Sequence, residues 1–294
     1  MFDVAGVGAS AVDLTYLLPA YPQPEGALSK LRIQSHAVSP GGQTATAMAG
    51  CAALGLRAAF LGVTGNDAHG ALVRAELTRR GVDISHAAIA DAPQAYSIIL
   101  LAEGQPDRIV LWDSNPSKIN PAHYPVARVI HVDDSDIEVS IGAARAAREA
   151  GRIVTTDIDQ AGDRTNDLLA LATHPIVAEH VPAALTGEAD LTRALRQLRG
   201  VTAAPIIVTL GARGAMALDG DRVIASAGFE VAAVDTTGAG DVFRAGFIAA
   251  LLEGHPLQEG LRFANAAAAV SCTRRGAMPS VPSRAEVDAL LRKT

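Results

Sequence analysis

Short apolar runs typical of buried strands alternate with longer, Ala-rich segments of helical periodicity along most of this chain. The strand patterns Val4–Ala9 and Ala58–Val63 precede helical patterns at Gln43–Leu54 and Ala68–Arg80, each of which a glycine ends. The alternation continues with strands at Val129–Val132, Ile153–Thr156 and Pro205–Leu210, a helix that ends at Ala150, and two or three helices from Ala239 onward. Parallel strands need such helical crossovers. The pattern therefore predicts an α/β fold, a doubly wound, mainly parallel sheet flanked by helices on both faces.

Two segments, residues 12–38 and 95–113, interrupt this alternation. The second contains strand-like runs at Tyr96–Leu101 and Arg108–Trp112, joined by the turn-like sequence Glu103-Gly104-Gln105-Pro106. We expect antiparallel strands inserted into a single α/β domain that spans residues 1–294. Strands that project over the ends of a parallel sheet could act as a lid.

The charge balance excludes two classes of partner. The chain has 25 Lys and Arg against 31 Asp and Glu, a net charge of −6, so we expect no nucleic acid and no anionic membrane as partner. No apolar run approaches the roughly 18 residues of a membrane span, and the first residues do not resemble a secretory signal. Cys51 and Cys272 are isolated, which matches neither a disulfide framework nor a zinc site and favours buried thiols in the cytoplasm.

The most informative local motif is Asp235-Thr236-Thr237-Gly238-Ala239-Gly240-Asp241, which leads into an amphipathic helix predicted over 239–253. Unpaired backbone amides at a helix start, together with the helix dipole, form a site suited to phosphate. Asp241 in the first turn could accept the proton of an attacking hydroxyl as a γ-phosphate is transferred. It could instead only cap the helix; the adjacent Gly-Ala-Gly favours the first interpretation.

Two further glycine pairs are less specific. Gly41-Gly42 before a helix would let a ligand approach the backbone, although such a pair is usually only a turn. Gly6-Val7-Gly8 fits the dinucleotide pattern, but that motif requires a helix directly after it, and here the sequence continues as a strand. Asp13, after the first strand, is better placed to hydrogen-bond the hydroxyls of a ligand.

These motifs together resemble a known family. Asp235–Asp241 with Phe243 and Gly246 resembles the C-terminal signature of the ribokinase (PfkB) family of sugar kinases, and Gly41–Gly55 resembles its N-terminal signature. The resemblance extends from Gly6 to Ser280, and Arg108–Asp113 resembles the lid strand of the ketohexokinase branch. It implies a ribokinase-like fold with a small β lid. The implied activity is ATP-dependent phosphorylation of a hydroxymethyl group of a small sugar or ketose. The implied cofactors are ATP and Mg²⁺, with K⁺ as a candidate activator. The resemblance also implies a homodimer that forms through the lid.

The resemblance also implies roles for individual residues, each of which could instead be a turn residue or helix cap. Asp241 would be the catalytic base, with Gly238, Ala239 and Gly240 as the anion hole. The implied sugar contacts are Asp13, Gly41, Gly42, Gln43 and Arg108. The implied nucleotide contacts are Thr209, Gly211, Gly214 and Asn265. The implied monovalent-cation loop comprises Asp235, Thr237, Ser271, Arg274, Gly276 and Ser280.

The sequence departs from the family pattern at two places. The Asn-x-x-Glu motif that organises magnesium in many members is replaced by Ala178 and Val181. The Asn expected after Gly-Gly is replaced by Gln43 and Thr46, which argues against a ribose-specific enzyme. Asp133 and Asp134 could add sugar contacts or form a solvated loop pair.

Two other functions stay open at this point. The first is a nucleoside kinase of the same fold, which the scarcity of aromatic residues near the lid disfavours, although Tyr16, Tyr96 and Trp112 could stack on a base. The second is a sugar-binding regulatory protein that has lost catalysis. The missing magnesium motif supports it, and the intact Gly-Ala-Gly-Asp opposes it.

Overall fold

The computed structural model of the protein describes residues 1–105, 108–114, 118–119 and 123–293; Pro106, assigned above to a turn, lies outside them. The strands are β1 (Phe2–Val7), β2 (Ala11–Leu18), β3 (Ser35–Gly41), β4 (Ala58–Leu61), β5 (Val63–Gly65), β6 (Ala88–Ala90), β7 (Tyr96–Ala102), β8 (Arg108–Asp113), β9 (Ala127–Asp133), β10 (Ile153–Asp157), β11 (Ile176–Ala178), β12 (Ile206–Thr209), β13 (Ala215–Asp219) and β14 (Arg222–Ser226). The helices are α1 (Gln43–Ala53), α2 (Ala68–Arg79), α3 (Ile137–Glu149), α4 (Thr165–Leu171), α5 (Val181–Thr186), α6 (Leu191–Leu198), α7 (Ala239–Leu252), α8 (Leu257–Ser271) and α9 (Arg284–Leu291).

The main sheet consists of two four-stranded halves. One half has the order β4-β1-β9-β10 with all strands parallel. The other has the order β11-β12-β13-β14, in which β11 and β12 are parallel and the β13–β14 hairpin is antiparallel. Isolated parallel bridges between Thr155 and His174 and between Ile158 and Val177 join the halves at β10 and β11.

Helices cover both faces of this sheet. Along β1, Val4 packs in a cluster with α1, α2 and α7, whereas the next residue, Ala5, packs in a cluster with α3, α4 and α6. Strands that are buried on both faces have continuous apolar sequences, as in the predicted runs. The predicted doubly wound, mainly parallel α/β fold is therefore confirmed.

Four strands form a second sheet, called the outer sheet below, in the order β3-β2-β7-β8. β2 pairs antiparallel with β3 and parallel with β7, and β7 pairs antiparallel with β8. Only three residues, 8–10, separate β1 from β2, so the outer sheet starts at the carboxyl end of a central strand of the main sheet. Ligands of open α/β sheets bind at that end.

The strand predicted at Ala58–Val63 is divided at Gly62. β4 ends at Leu61, and β5 starts at Val63 and pairs with β6 outside the main sheet. A Cβ atom on Gly62 would lie 2.4 Å from the carbonyl oxygen of Gly8. Glycine at this position therefore lets the chain pass close to the loop after β1 as it leaves the main sheet. Within the described ranges, we find no helix with the length and apolarity needed to span a bilayer.

Candidate active site

The start of α7 carries the residues predicted to form an anion hole, Gly238, Ala239 and Gly240. Gly238 precedes the helix with φ of 79°, in the left-handed region, and no side chain caps the helix. The amide of Ala239 donates to the carbonyl oxygen of Thr236 at 3.2 Å. Among the described residues, the amides of Gly240 and Asp241 have no protein acceptor. These amides are available to an anion, whereas that of Ala239 is occupied.

The carboxyl group of Asp241 belongs to the same turn as these amides, and several other carboxylates act on its pKa. Burial of its carboxyl group raises its pKa well above the usual value, and the carboxylates of Asp157, Asp13 and Asp133 raise it further. Burial also raises the pKa of Asp13 to about 6, with Asp235 adding to the effect. A carboxylate that binds protons this readily is suited to accept the proton of a hydroxyl near neutral pH.

Arg244, one helical turn after Asp241, was not identified from the sequence as a site residue. Its Nη2 contacts Asp157 Oδ1 at 2.7 Å, and the two side chains are only 4% and 3% exposed. Asp157 is the last residue of β10, so this ion pair joins α7 to the carboxyl end of the main sheet. The spacing from Asp241 to Arg244 places both on one helix face, which is the only signal that the sequence offered.

The residues expected to bind the sugar meet where β2, β3 and α1 come together. Asp13 is 5% exposed, and a Cβ atom on Gly41 would lie 2.3 Å from its Oδ2. Gly42 precedes α1 with φ of 93°, and a Cβ atom there would lie 2.6 Å from the backbone nitrogen of Ala11. Gln43, the first residue of α1, is half-buried. Glycine is thus required at Gly42, because the backbone of Ser10 and Ala11 fills the space that a side chain would need.

Arg108 connects the outer sheet to the loop before α7. Its Nη1 donates to Thr236 Oγ1 at 2.6 Å, although 128 positions separate the two residues in sequence. Its positive charge lowers the pKa of Asp13. Arg108 therefore reaches the site from β8, as the sequence led us to expect, and Thr236 is a partner that the sequence did not indicate.

Asp133 and Asp134 have structural hydrogen bonds that neither sequence interpretation foresaw. Asp133 is fully buried, so the solvated alternative is wrong for it; its Oδ2 accepts from the Ala9 amide and from Thr44 Oγ1, both at 2.7 Å. Asp134 Oδ2 accepts from the amides of Asp159 and Gln160. Asp133 thus fixes the turn after β1 against the start of α1, since a carboxylate can accept several hydrogen bonds.

The expected nucleotide residues lie around the β12–β13 connection and α8. Thr209 ends β12, Gly211 begins a 3₁₀ turn, and Gly214, with φ of 95°, approaches the carbonyl oxygen of Ser226 so closely that a Cβ atom would lie 2.2 Å from it. Asn265 Nδ2 donates to the same oxygen at 2.9 Å. Residues 225–230, with Leu290 and with Pro256, Gln258, Glu259 and Arg262 at the start of α8, line a cavity of about 790 Å³. Asn265 therefore fixes the backbone of Ser226, which lines this cavity, but is not itself one of the lining residues.

The expected cation residues join two loops. Asp235 Oδ1 accepts from the amide of Thr237, and its Oδ2 accepts from the amide of Gly276, both at 2.9 Å. Ser271 and Ser280 each donate to the carbonyl oxygen three residues earlier. Arg274 Nη1 contacts Glu286 Oε1 at 3.2 Å. The structure thus brings Asp235, Thr237 and Gly276 together beside Gly238. The hydroxyl groups of Ser271 and Ser280 instead donate to carbonyl oxygens within their own segments.

The two positions that depart from the family's magnesium motif have different surroundings. Ala178 ends β11 and is half-buried, whereas Val181 begins α5 and is fully buried in an apolar cluster with the main sheet. Among the described residues, no group of three or more His, Cys, Asp or Glu side chains is arranged to hold a metal ion.

Comparison with known proteins decides the family. The model of the pfkB family of carbohydrate kinases matches residues 2–284. The chain belongs to this family. Among the relatives of this pfkB protein, a ribokinase of Haemophilus influenzae is 28% identical over 95% of both chains. An ATP-dependent ribose-1-phosphate kinase of Halopiger xanaduensis is 31% identical over 99% of this chain and 98% of that one. The structure of Arabidopsis thaliana ribokinase complexed with ribose and ATP has 26% identity, a TM-score of 0.84 and 99% coverage of both chains.

Family membership confirms two expectations from the sequence. The ribokinase-like fold is confirmed by the structural similarity, and ATP-dependent carbohydrate kinase activity is confirmed by the family match over nearly the whole chain. The individual residue roles stay predictions, and the geometry described above supplies the grounds for proposing them.

Proposed function

We propose that this pfkB kinase transfers the γ-phosphoryl group of ATP to a hydroxymethyl group of a small sugar or ketose, with Asp241 as the base. The proposal rests on one observation. Asp241 lies in the first turn of α7, where the amides of Gly240 and Asp241 have no protein acceptor among the described residues, and its carboxyl group is close enough to Asp13 for that carboxylate to raise its pKa. The amides and helix dipole would stabilise the negative charge of the transferring phosphoryl group. The Asp241 carboxylate would accept the proton of the attacking hydroxyl.

In this proposal, the outer sheet serves as the lid. Asp13, Gln43 and the backbone of Gly41 and Gly42 would contact the sugar, and the two glycines let this segment pack closely against Asp13 and the start of β2. Arg108 would close the site through its hydrogen bond to Thr236. Covering the reacting groups excludes water, which would otherwise compete with the sugar for the phosphoryl group.

In this proposal ATP binds in the cavity next to α8, whose volume of about 790 Å³ is in the range of small-molecule sites. Gly214 lets the start of β13 pack closely against Ser226 and Gly228, which line this cavity. Magnesium supplies charge neutralisation to ATP when bound. Because the described residues form no metal-ligand cluster, we assign no protein ligand to that ion; the phosphates and water would hold it.

Two of the three aromatic residues that could stack on a nucleobase, Tyr16 and Trp112, are poorly placed for it, which supports a sugar as the acceptor. A nucleobase needs an aromatic surface for stacking. Tyr16 is already stacked on His36, with ring centroids 6.3 Å apart, and Trp112 is 73% exposed on the edge strand of the outer sheet. The intact Asp241 and the free amides beside it also argue against a regulatory protein without catalysis.

An assay of ADP release with MgATP tests this function. A panel of pentoses, hexoses, ketoses, sugar phosphates and nucleosides would be compared at equal concentrations. We expect turnover with one or a few small sugars or ketoses. Turnover with nucleosides alone would establish the alternative kinase, and binding of a sugar without ADP release would establish the regulatory alternative.

We further propose a potassium site beside Gly238. Thr237 Oγ1 is buried and has no hydrogen-bond partner among the described residues, and Asp235 lies next to it. Hard cations bind such oxygen atoms. The predicted result is a higher rate in KCl than in NaCl at matched ionic strength, with choline chloride as the reference. Equal rates in the three salts would indicate that Arg274 supplies the positive charge instead.

The edge of the outer sheet is a proposed dimer contact. β8 is an edge strand, and its Leu111 and Trp112 are 53% and 73% exposed. Exposed apolar edge strands are prone to pair with a second chain. We expect the protein to have twice its monomer mass of 30.2 kDa by light scattering, and Trp112→Glu to return it to the monomer. Val223→Glu, on the β14 edge, is the matched control and should leave the mass unchanged; a monomeric wild type would contradict the proposal.

We also assign the protein to the cytoplasm because of its two cysteines. Cys51 and Cys272 are both free thiols, and Cys51 is fully buried. Free thiols persist in a reducing compartment.

A further inference from the structure

A buried ion pair lies directly behind the proposed catalytic group. Arg244 is on α7, three residues after Asp241, and its guanidinium contacts Asp157 at the end of β10 at 2.7 Å. Long side chains on a helix lean toward its N-terminus. The guanidinium therefore extends back toward the turn that carries Gly240 and Asp241.

The position of Gly240 shows how close this cation is to the free amides. A Cβ atom on Gly240 would lie 2.8 Å from Arg244 Nη1, closer than side-chain carbons normally approach. The absence of a side chain at this position gives room to the guanidinium. Arg244 thus places a permanent positive charge directly against the backbone of the anion-binding turn.

Stability alone is a weak explanation for this pair. A buried ion pair often contributes no more than apolar residues of the same volume, because both ions lose their hydration. Arg244 Nε is also buried without a hydrogen-bond partner among the described residues. An apolar contact between α7 and β10 would avoid both costs, so the pair is better explained by a role in the neighbouring site.

The charges around Asp241 come from several elements. Asp157 on β10, Asp13 on β2 and Asp133 on β9 all present carboxylates to it. Arg244 on α7 presents the opposing positive charge.

The other elements near α7 add little charge at Asp241. α1 has no acidic or basic residue. On α8, Glu259 contacts His255, and Arg262 lies over the ring of Phe229. His131 on β9 is fully buried, and burial together with Arg244 lowers its pKa to about 3, so that it is neutral. Arg244 is therefore the one cation among the fully or nearly fully buried charged side chains of the described residues.

We propose that Arg244, held in place by Asp157, is a positioning residue for Asp241: its charge offsets the surrounding carboxylates and keeps Asp241 ionised for proton transfer. This inference rests on the proposed role of Asp241 as the base. Asp157 has two opposing effects, because it anchors the cation and also adds a negative charge close to Asp241. Asp157 raises the pKa of Asp241 and Arg244 lowers it, in agreement with this arrangement.

Two variants without the Asp157 carboxylate separate these effects. Asp157→Asn removes the competing anion and leaves the cation, so the acid limb of the pH profile of kcat/KM is expected to move to lower pH. Adding Arg244→Gln to Asp157→Asn removes the cation, so the acid limb should move to higher pH than in the single variant. A close charge shifts a pKa by roughly one to three units, which is the difference we expect between the two variants. Coincident acid limbs would overturn the proposal.

A third variant keeps the test valid if the single variant does not fold. Asp157→Asn with Arg244→Lys retains the positive charge, and its acid limb should lie below that of Asp157→Asn with Arg244→Gln. A merely structural role would change stability and maximal rate, but would not order the acid limbs by the charge at position 244. Asp241→Asn separates the two levels of the argument: if it retains turnover, the proposed base is wrong, whereas an inactive Asp241→Asn with coincident acid limbs refutes only the role of Arg244.

Discussion

Turnover is expected to fall by roughly 10²–10⁴-fold in Asp241→Asn, the range for loss of a general base. Asparagine has the shape of aspartate but cannot accept the proton of the sugar hydroxyl. The KM values for sugar and ATP should change little, because the amides of the first turn of α7 and the outer sheet remain in place. Steady-state kinetics over both substrates measures this separation of kcat from KM.

Asp221→Asn is the matched control for this substitution. Asp221 is exposed in the turn between β13 and β14, at the edge of the main sheet, whereas Asp133 and Asp157 end the central strands β9 and β10. The same chemical change at Asp221 should therefore leave kcat at the wild-type value. Wild-type turnover in Asp241→Asn would show that another group accepts the proton.

Gly238→Ala is expected to lower kcat by roughly 10²–10³-fold, the range for loss of one backbone donor to a developing charge. At φ of 79° an alanine is strained, and its Cβ atom would lie 2.7 Å from the Cα atom of Ala277. Backbone cannot move aside as a flexible side chain can, so the turn before α7 must shift and carry the amides of Gly240 and Asp241 with it. Kinetics with saturating sugar and ATP measures the effect.

Gly254→Ala provides the control for strain alone. Gly254 follows the other end of α7 with φ of 82°, and a Cβ atom there would meet no atom within 4 Å. We expect unchanged kcat and a loss of about 1–2 kcal/mol in the free energy of unfolding. If both variants lose activity equally, the effect comes from helix stability and not from the geometry of the anion site.

The sequence was most informative where local chemistry determines structure. The alternation of strands and helices predicted the doubly wound sheet, because parallel strands cannot be joined without crossovers. The start of α7 at Ala239 was predicted correctly and its end to within one residue, because Gly238 adopts a left-handed conformation that other residues avoid. The β13–β14 hairpin was missed although Gly220-Asp221, a two-residue turn that starts with glycine, marks it.

Long-range side-chain partners could not be predicted in this way. The sequence left Asp133 as either a sugar contact or part of a solvated loop pair, whereas the fold buries it against Thr44, 89 positions away. The partner of Arg244 lies 87 residues earlier in the chain, and only the meeting of α7 with β10 brings them together. The residues of short polar motifs can be identified from the sequence, whereas the charged groups around them depend on tertiary packing.

With the roles proposed for Arg108 and the start of α7, the hydrogen bond from Arg108 to Thr236 would couple sugar binding to ATP binding. A sugar that orders the outer sheet also fixes Arg108, and through Thr236 the loop that leads to the anion site. Linkage is reciprocal, so ATP must strengthen sugar binding by the same factor by which sugar strengthens ATP binding. One hydrogen bond contributes about 1 kcal/mol, which limits the cooperativity carried by this contact to about fivefold. In this proposal, a single side chain would couple the binding of the two substrates without a large rearrangement of the main sheet.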